Sequence, residues 1–477
     1  MTDGRPSARL EAGTWDTANA GLIESLQELI RIRSINPPDP PGGELEAASY
    51  IAAVMTDCGL APEIVEPYPG RGSVHARLRG DGTGGEPLLL LAHLDVVPAP
   101  PEGWTHDPFG GDVAGGYVYG RGAVDMKGAI AMQLAVVRLL ASEASAVGRD
   151  PGSDPVPGLT RDVLITVTAD EEAGGLEGVG WLADNRPEWL RAAGALTECG
   201  GISITTAGSR IYPIQVAEKG FAVYRILVHG TAGHGSMPRA DNAAVRAAEA
   251  IRRLAVPGTA RLTPVMERFL GATADAVPAE PGRLLRTIAH PDPRLSEAAI
   301  DTLCDPVYGR AVRALLRDTI SPTIVEAGVK YNVIPGEAEL FIDCRVLPGT
   351  TEEQMQAEVV ARLGDLAAVC DVDLLIFGAP VESPADTDLY RLLDDTIRLH
   401  DPDGNPVPGI VPFATDAKTT TRLGVPTYGF SPLRLEADEL FLDRFHGVDE
   451  RVGLDALRWG LPVLYDVVRA FCGPGPE

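Results

Sequence analysis

The sequence lacks a positive-charge excess, closely spaced cysteines and a long apolar run, and each absence narrows what the chain can do. Lys and Arg number 41 against 67 Asp and Glu, a formal net charge of -26. A mean field of that sign repels phosphate and argues against nucleic-acid and anionic-membrane surfaces. The six cysteines (Cys58, Cys199, Cys304, Cys344, Cys370 and Cys472) show no CxxC spacing. That pattern supports neither a disulfide framework nor an iron–sulfur site, and it fits buried thiols in a reducing compartment. The first twenty residues have no apolar leader core and no small-residue cleavage pattern. The longest apolar stretches, PLLLLAHL after Glu86 and AIAMQLAVV before Arg138, fall short of the roughly 20 residues a spanning helix needs. A soluble cytoplasmic chain is the expectation.

What is present is ordinary globular composition, 45% apolar and 23% charged over 477 residues, a length that calls for two domains. Leu22, Ile23, Leu26, Leu29, Ile30 and Ile32 follow a helical period that Asn36, Pro37 and Pro38 stop. A second helix runs from Leu45 to Met55. Strands are expected at Glu63 to Val65, Val74 to Leu78, Leu88 to Ala92 and from Val163, with ALTE before Cys199 as another. A helix lies between, from Met126 to Ala141. Continuous apolar strands alternating with helices predict an α/β domain with a mostly parallel sheet covered on both faces. From Ile211 the chain reads as a hairpin, a helix from Asn242 to Leu254, and a second hairpin from Gly328 to Val346, with an irregular excursion between Val256 and Pro322. The expected organisation is therefore a catalytic domain over 1–210 and 351–477, interrupted by a smaller α+β unit over 211–350.

Five places can carry chemistry. His93 and Asp95 end an apolar strand, where ligands gather in α/β sheets and where a carboxylate can orient a ligating imidazole. Glycines around Asp125 permit a turn that aims its carboxylate into the same crevice. Asp170, Glu171 and Glu172 follow the strand from Val163; in extended chain one glutamate would ligate while its neighbour stands free as a base. Glu198 ends ALTE, and His446 lies in FHGVDER. Each has a plain alternative as a solvated strand end, an N-cap or an acidic loop. Together they supply two imidazoles, a bridging-capable aspartate and several glutamates, an inventory that suits two zinc-like ions and would also accept cobalt or manganese.

The motifs LLLLAHLDVVP, WTHDPFGG to YVYGRGAVDMKG, TADEEAGG, TECGG, GHGSMP, NVIPGEAEL and FHGVDERV, in that order over about residues 20 to 470, resemble a known family. It is the dinuclear zinc amidohydrolase and exopeptidase family of aminoacylases, acetylornithine deacetylase, succinyl-diaminopimelate desuccinylase, carnosinase-type dipeptidases, glutamate carboxypeptidases and carboxypeptidase S. The resemblance implies that His93 and Glu198 bind one metal, that Glu172 and His446 bind the other, and that Asp125 bridges them. It implies Asp95 as the orienter of His93 and Glu171 as the general base. It makes the inserted unit a lid and dimerisation domain, with His234 reaching the reacting carbonyl from a neighbouring subunit, and Asn332 and Arg345 gripping a substrate carboxylate. Arg345 has a plainer reading as a surface charge paired with Asp343.

The implied activity is hydrolysis of an amide or peptide bond in a small N-acyl amino acid or peptide with a free carboxylate. Rival readings are a catalytically silent binding relative and a dinuclear phosphoesterase. Departures from the family pattern are Cys199 after Glu198, where glycine is common, a loosely matching loop from Phe413 to Ala417, and the long excursion. His106, His229 and His290 match no ligand position, and Lys127 is expected to pair locally.

Overall fold

The apolar run after Glu86 shows how the chain layers itself. In a computed structural model, described for residues 5–37, 43–437, 439 and 441–474, that run becomes the strand Leu88–His93. Leu88, Leu90 and Ala92 enter one core with residues of the helices Ala12–Arg31, Lys127–Ala146 and Leu454–Cys472. Leu89 and Leu91 point the other way, against Val179, Leu182 and Trp189. Burial on both faces is why the run is continuous rather than alternating. Four central strands, Val163–Thr168, Leu88–His93, Gly194–Thr197 and Thr427–Gly429, run parallel. Antiparallel strands flank them in a ten-stranded sheet. The α/β class with helices on both faces is thus as expected. Pro38, one of the expected helix stops, lies outside the described residues.

The helix Lys127–Ala146 is longer than its apolar core suggested. By length and composition alone it could cross a membrane, yet 72% of its most apolar window is buried inside the protein. It is the central helix of the core.

The expected first hairpin does not form. Ser209–Glu218 belongs to the large sheet, where it pairs in parallel with Gly404–Val411. Gly220–His229 belongs to a separate four-stranded sheet ordered Thr319–Ala327, Glu337–Val346, Gly220–His229, Cys370–Gly378. Only Lys219 separates the two strands, too little chain for a turn, so the backbone passes straight from one sheet to the other. Lys219 is buried there, and its Nζ donates to the carbonyls of Ala314 and Arg317 at 2.9 and 2.8 Å. The second hairpin forms with a different first arm, Thr319–Ala327, while Val333–Ile334 pairs with Gly233–His234 as a small ribbon.

Two helices, Ala243–Leu254 and Glu352–Leu363, cover one face of this second sheet. Asn242 caps the first through the Ala244 N–H, and a Thr351–Gln354 capping box starts the second. The sheet therefore draws on residues 220–378 and overruns the expected boundary at 350. An amphipathic helix reads alike whichever sheet it covers, which is why Glu352–Leu363 looked like a return to the catalytic domain. The excursion also differs from expectation. Its helices Pro264–Ala276, Ala279–Ile288, Pro293–Leu303 and Pro306–Leu315 contribute Met266, Leu270, Leu285 and Ile300 to the catalytic core, not to the lid core.

Candidate metal centre

His93 closes its strand and is 1% exposed. Its Nδ1 lies 3.1 Å from the Asp95 carbonyl and 3.4 Å from Asp95 Oδ1. A proton held on Nδ1 by those acceptors leaves Nε2 free to ligate. Asp95 does more than orient His93. Its carboxylate accepts the backbone N–H of Glu171 at 3.1 Å and of Glu172 at 2.9 Å, and the Asn36 amide at 2.8 Å. Those two bonds hold Glu171–Ala173 as a single 3-10 turn after Asp170, which is left-handed at φ 69°. The extended chain expected here is therefore absent, although both glutamates still line the cavity.

The turn before Asp125 needs its glycines. A Cβ on Gly120 would come within 2.4 Å of the Ile30 side chain, and one on Gly122, at φ 87°, within 2.9 Å of Lys127 and Val96. The Val124 and Asp125 N–H groups donate to Glu450 Oε1, whose other oxygen accepts from the Arg121 guanidinium. So anchored, Asp125 turns Oδ1 to His93 Nε2 at 3.1 Å and Oδ2 to His446 Nε2 at 3.3 Å. Glu198 Oε2 stands 3.6 Å from His93 Nε2, and Glu172 Oε2 3.2 Å from His446 Nε2. Two three-residue sets result, His93–Asp125–Glu198 and Asp125–Glu172–His446, each with ligand atoms within 4.8 Å of one another. Among the described residues Glu172 Oε1 is buried with no hydrogen-bond partner, an unsatisfied anionic acceptor that a cation would satisfy. The donors thus fit two divalent ions.

Electrostatics point the same way. Burial, then repulsion from Asp125, pushes the Glu198 carboxyl up to about 7. Burial also raises Glu171 well above the usual carboxylate range, with Lys418 and His93 opposing. Hydrogen bonds that its ring donates to Asp125 and Glu172 hold the His446 imidazole up at about 10. So many buried acids in one place are stabilised by positive charge, which bound cations would supply.

The cavity, about 480 Å³, is lined by Asp125, Glu171, Glu172, Glu198 and His446 from below and by Phe221, Val223, Asp343, Arg345 and Ile376 of the lid sheet from above. Arg345 is bidentate on Asp343, at 2.8 and 3.0 Å, so it is both the paired charge and a cavity wall. His234 and Asn332 do not line the cavity of their own chain. His234 pairs with Val333 on the ribbon and Asn332 flanks it, its carbonyl accepting the Gly235 N–H at 2.9 Å; His234 is exposed and its Nδ1 bonds Ser236 Oγ at 2.8 Å. His106 pairs with Asp112, His229 with Asp371, and His290 with the Asp292 N–H, all away from the site. Lys127 donates to the Ile32 carbonyl at 2.8 Å. The Cys199 thiol donates to Glu198 Oε2 at 3.3 Å.

Sequence reasoning missed Glu450, Asn36 and Lys418. Lys418 Nζ lies 3.7 Å from Glu171 Oε1 and 3.8 Å from Asp416 Oδ1. Burial alone would lower it, but Glu171, Asp416, Glu218 and Glu198 together hold it above the usual lysine value. One signal was available: the chain has only four lysines, and Lys127, Lys219 and Lys418 all sit inside.

Among known proteins, the pattern of peptidase family M20/M25/M40 matches residues 89–470. The chain is 28% identical over 433 residues to N-fatty-acyl-amino acid synthase/hydrolase PM20D1 of Homo sapiens, covering 87% of this chain and 79% of that one. It is 35% identical over 223 residues to succinyl-diaminopimelate desuccinylase of Methylorubrum extorquens, covering 45% and 52%. Its fold resembles an M20 family metallo-carboxypeptidase from Sulfolobus solfataricus, with TM-score 0.71, 16% identity and coverage of 94% and 99%. It also resembles human carnosine dipeptidase 1, with TM-score 0.70, 16% identity and coverage of 96% and 97%. The strand ends that converge on Asp125 all lie within the matched stretch, and the chain belongs to peptidase family M20/M25/M40 as a metal-dependent hydrolase.

Proposed function

We propose that the protein hydrolyses the amide bond of small N-acyl or N-aminoacyl amino acids whose carboxylate is free. The observation that carries this reading is Asp125, whose two oxygens face His93 and His446 separately inside one acidic cavity that also holds Glu171 and Arg345. His93 and Glu198 would hold one ion, Glu172 and His446 the other, and Asp125 both. Mixed imidazole and carboxylate donors suit zinc first, with cobalt or manganese next. Such ions polarise a carbonyl and acidify water.

The remaining work falls to this chain's own side chains. Glu171 takes the proton of the attacking water and returns it to the departing nitrogen, so one carboxylate serves as base and then acid. Lys418 balances its charge from 3.7 Å. Arg345, pre-oriented by Asp343, presents a fork matched to a carboxylate. The His234 ribbon lies among exposed apolar side chains, with Val329 and Tyr331 each 96% exposed and Met237 67%. That supports a homodimer through the lid, in which the ribbon of one protomer reaches the other's cavity and His234 donates to the developing oxyanion. Six free cysteines support a cytoplasmic location.

Amine release from a panel of N-acyl amino acids and dipeptides tests the reading, using zinc-loaded and chelator-stripped protein. The expected result is hydrolysis that chelation abolishes and zinc restores. Hydrolysis indifferent to chelation would overturn it.

A further inference from the structure

The four helices between Pro264 and Leu315 have a purpose that the metal site does not use. With the strands Ile204–Thr206, Ser209–Glu218 and Gly404–Val411 they wall a second cavity of about 220 Å³. Leu270, Leu285, Ile288, Val312, Leu315 and Ile410 line it, and among the described residues no Lys, Arg or His does. Its one carboxylate, Asp305, is already engaged, accepting the N–H groups of Val307 and Tyr308 at 2.8 and 3.2 Å. The Thr273 hydroxyl donates to the Phe269 carbonyl. An engineered apolar cavity of about 150 Å³ stays dry and takes a benzene-sized hydrocarbon, so this larger one is suited to an apolar guest.

The two cavities share a wall. Phe413 and Phe445 line both, with ring centroids 6.1 Å apart. Phe445 precedes the ligand His446, and Cys199, which also lines the apolar cavity, follows the ligand Glu198. Arg345 of the lid sheet also lines the metal cavity.

We propose that the apolar cavity is an acyl-chain channel, and that the substrate's acyl group is an unbranched hydrocarbon of medium to long length. This rests on the amide-hydrolase reading above. The amino-acid carboxylate pairs with Arg345, the scissile amide lies among the metal ligands, and the chain passes between Phe413 and Phe445 toward Leu285 and Val312. Water adds to the carbonyl carbon as the C–N bond breaks and the nitrogen gains the proton, releasing a fatty carboxylate and a free amino acid. The same lining rejects acyl groups that end in a carboxylate, because a buried anion without a partner is costly.

The test is kcat/KM of the zinc-loaded full chain on acetyl, hexanoyl, decanoyl and succinyl derivatives of one amino acid. Each methylene buried is worth a factor of about 3 to 4, so hexanoyl should exceed acetyl by about 100-fold, decanoyl should exceed hexanoyl, and succinyl should fall below both. Leu285→Trp and, separately, Val312→Phe should each lower the decanoyl-to-acetyl ratio at least tenfold. Acetyl or succinyl derivatives cleaved as fast as decanoyl would overturn the channel and leave the hydrolase standing. A ratio unchanged in both variants would also overturn it. No hydrolysis of any member would instead remove the hydrolase reading on which the channel depends. The wild-type chain-length series stands alone should either variant not fold.

Discussion

His93 and His234 are handled in opposite ways by the two regions that hold them. His93 is sealed at the end of a central strand, with Asp95 on one ring nitrogen and Asp125 and Glu198 facing the other. His234 stands exposed on a two-stranded ribbon, and the hydrogen bonds of its ring stay within the same turn, at Ser236. The catalytic domain assembles its charges within one chain, because buried ionic groups that lack partners are expensive. The ribbon holds its residues outward, as the proposed homodimer requires.

Substitutions can break or sharpen that contrast. The largest effect is expected of Asp125→Ala, which removes the carboxylate common to both ligand sets; metal content should fall and turnover drop to background. Glu171→Gln should retain both ions in elemental analysis yet lose about 10²- to 10⁴-fold in kcat. A wild-type rate in this variant would remove the base assignment. His234→Ala should lose about 10²- to 10³-fold, as expected for one oxyanion donor. Mixing His234→Ala with Glu171→Gln protein should restore part of the activity, since a mixed dimer contains one intact site. No recovery would mean that the ribbon serves its own chain.

Arg345→Ala should raise KM about 10- to 100-fold for carboxylate-bearing substrates, the worth of a charge-assisted hydrogen bond, and leave a neutral amide unaffected. The smallest effect on activity, none, is expected of His75→Gln, which shows itself only in stability. His75 is buried against Trp189, and burial, then Arg77, lowers its imidazole to about 4. Below pH 6.5 the unfolded chain takes up a proton that the folded chain refuses, so stability falls as pH drops from 6.5 toward 4. The loss is roughly 2 kcal/mol by pH 5. Denaturant titrations at pH 7 and pH 5 should show a smaller loss in the variant; an equal loss would contradict the assignment.

Much of the site was legible in the sequence because its residues follow apolar strands or Gly-rich turns. His93, Glu171, Glu172 and Glu198 stand at the ends of strands whose burial is written in their composition, and Asp125 stands among glycines. Glu450, Lys418 and Asn36 were not legible. Each acquires its part only from a distant segment, as Glu450, although inside the FHGVDERV motif, does from the Asp125 N–H. The same holds for the fold. Alternation over Ile211 to Gly230 says strand twice, but not that Lys219 divides two sheets. The helical period of Pro264–Ala276 says helix, but not which core receives it.

The most direct test of the account is zinc titration of chelator-stripped protein, with bound metal per chain and amide hydrolysis read in the same samples. Two ions per chain are expected, with activity appearing as the two sites fill. Full turnover in stripped protein, or saturation at fewer than two ions per chain, would contradict it.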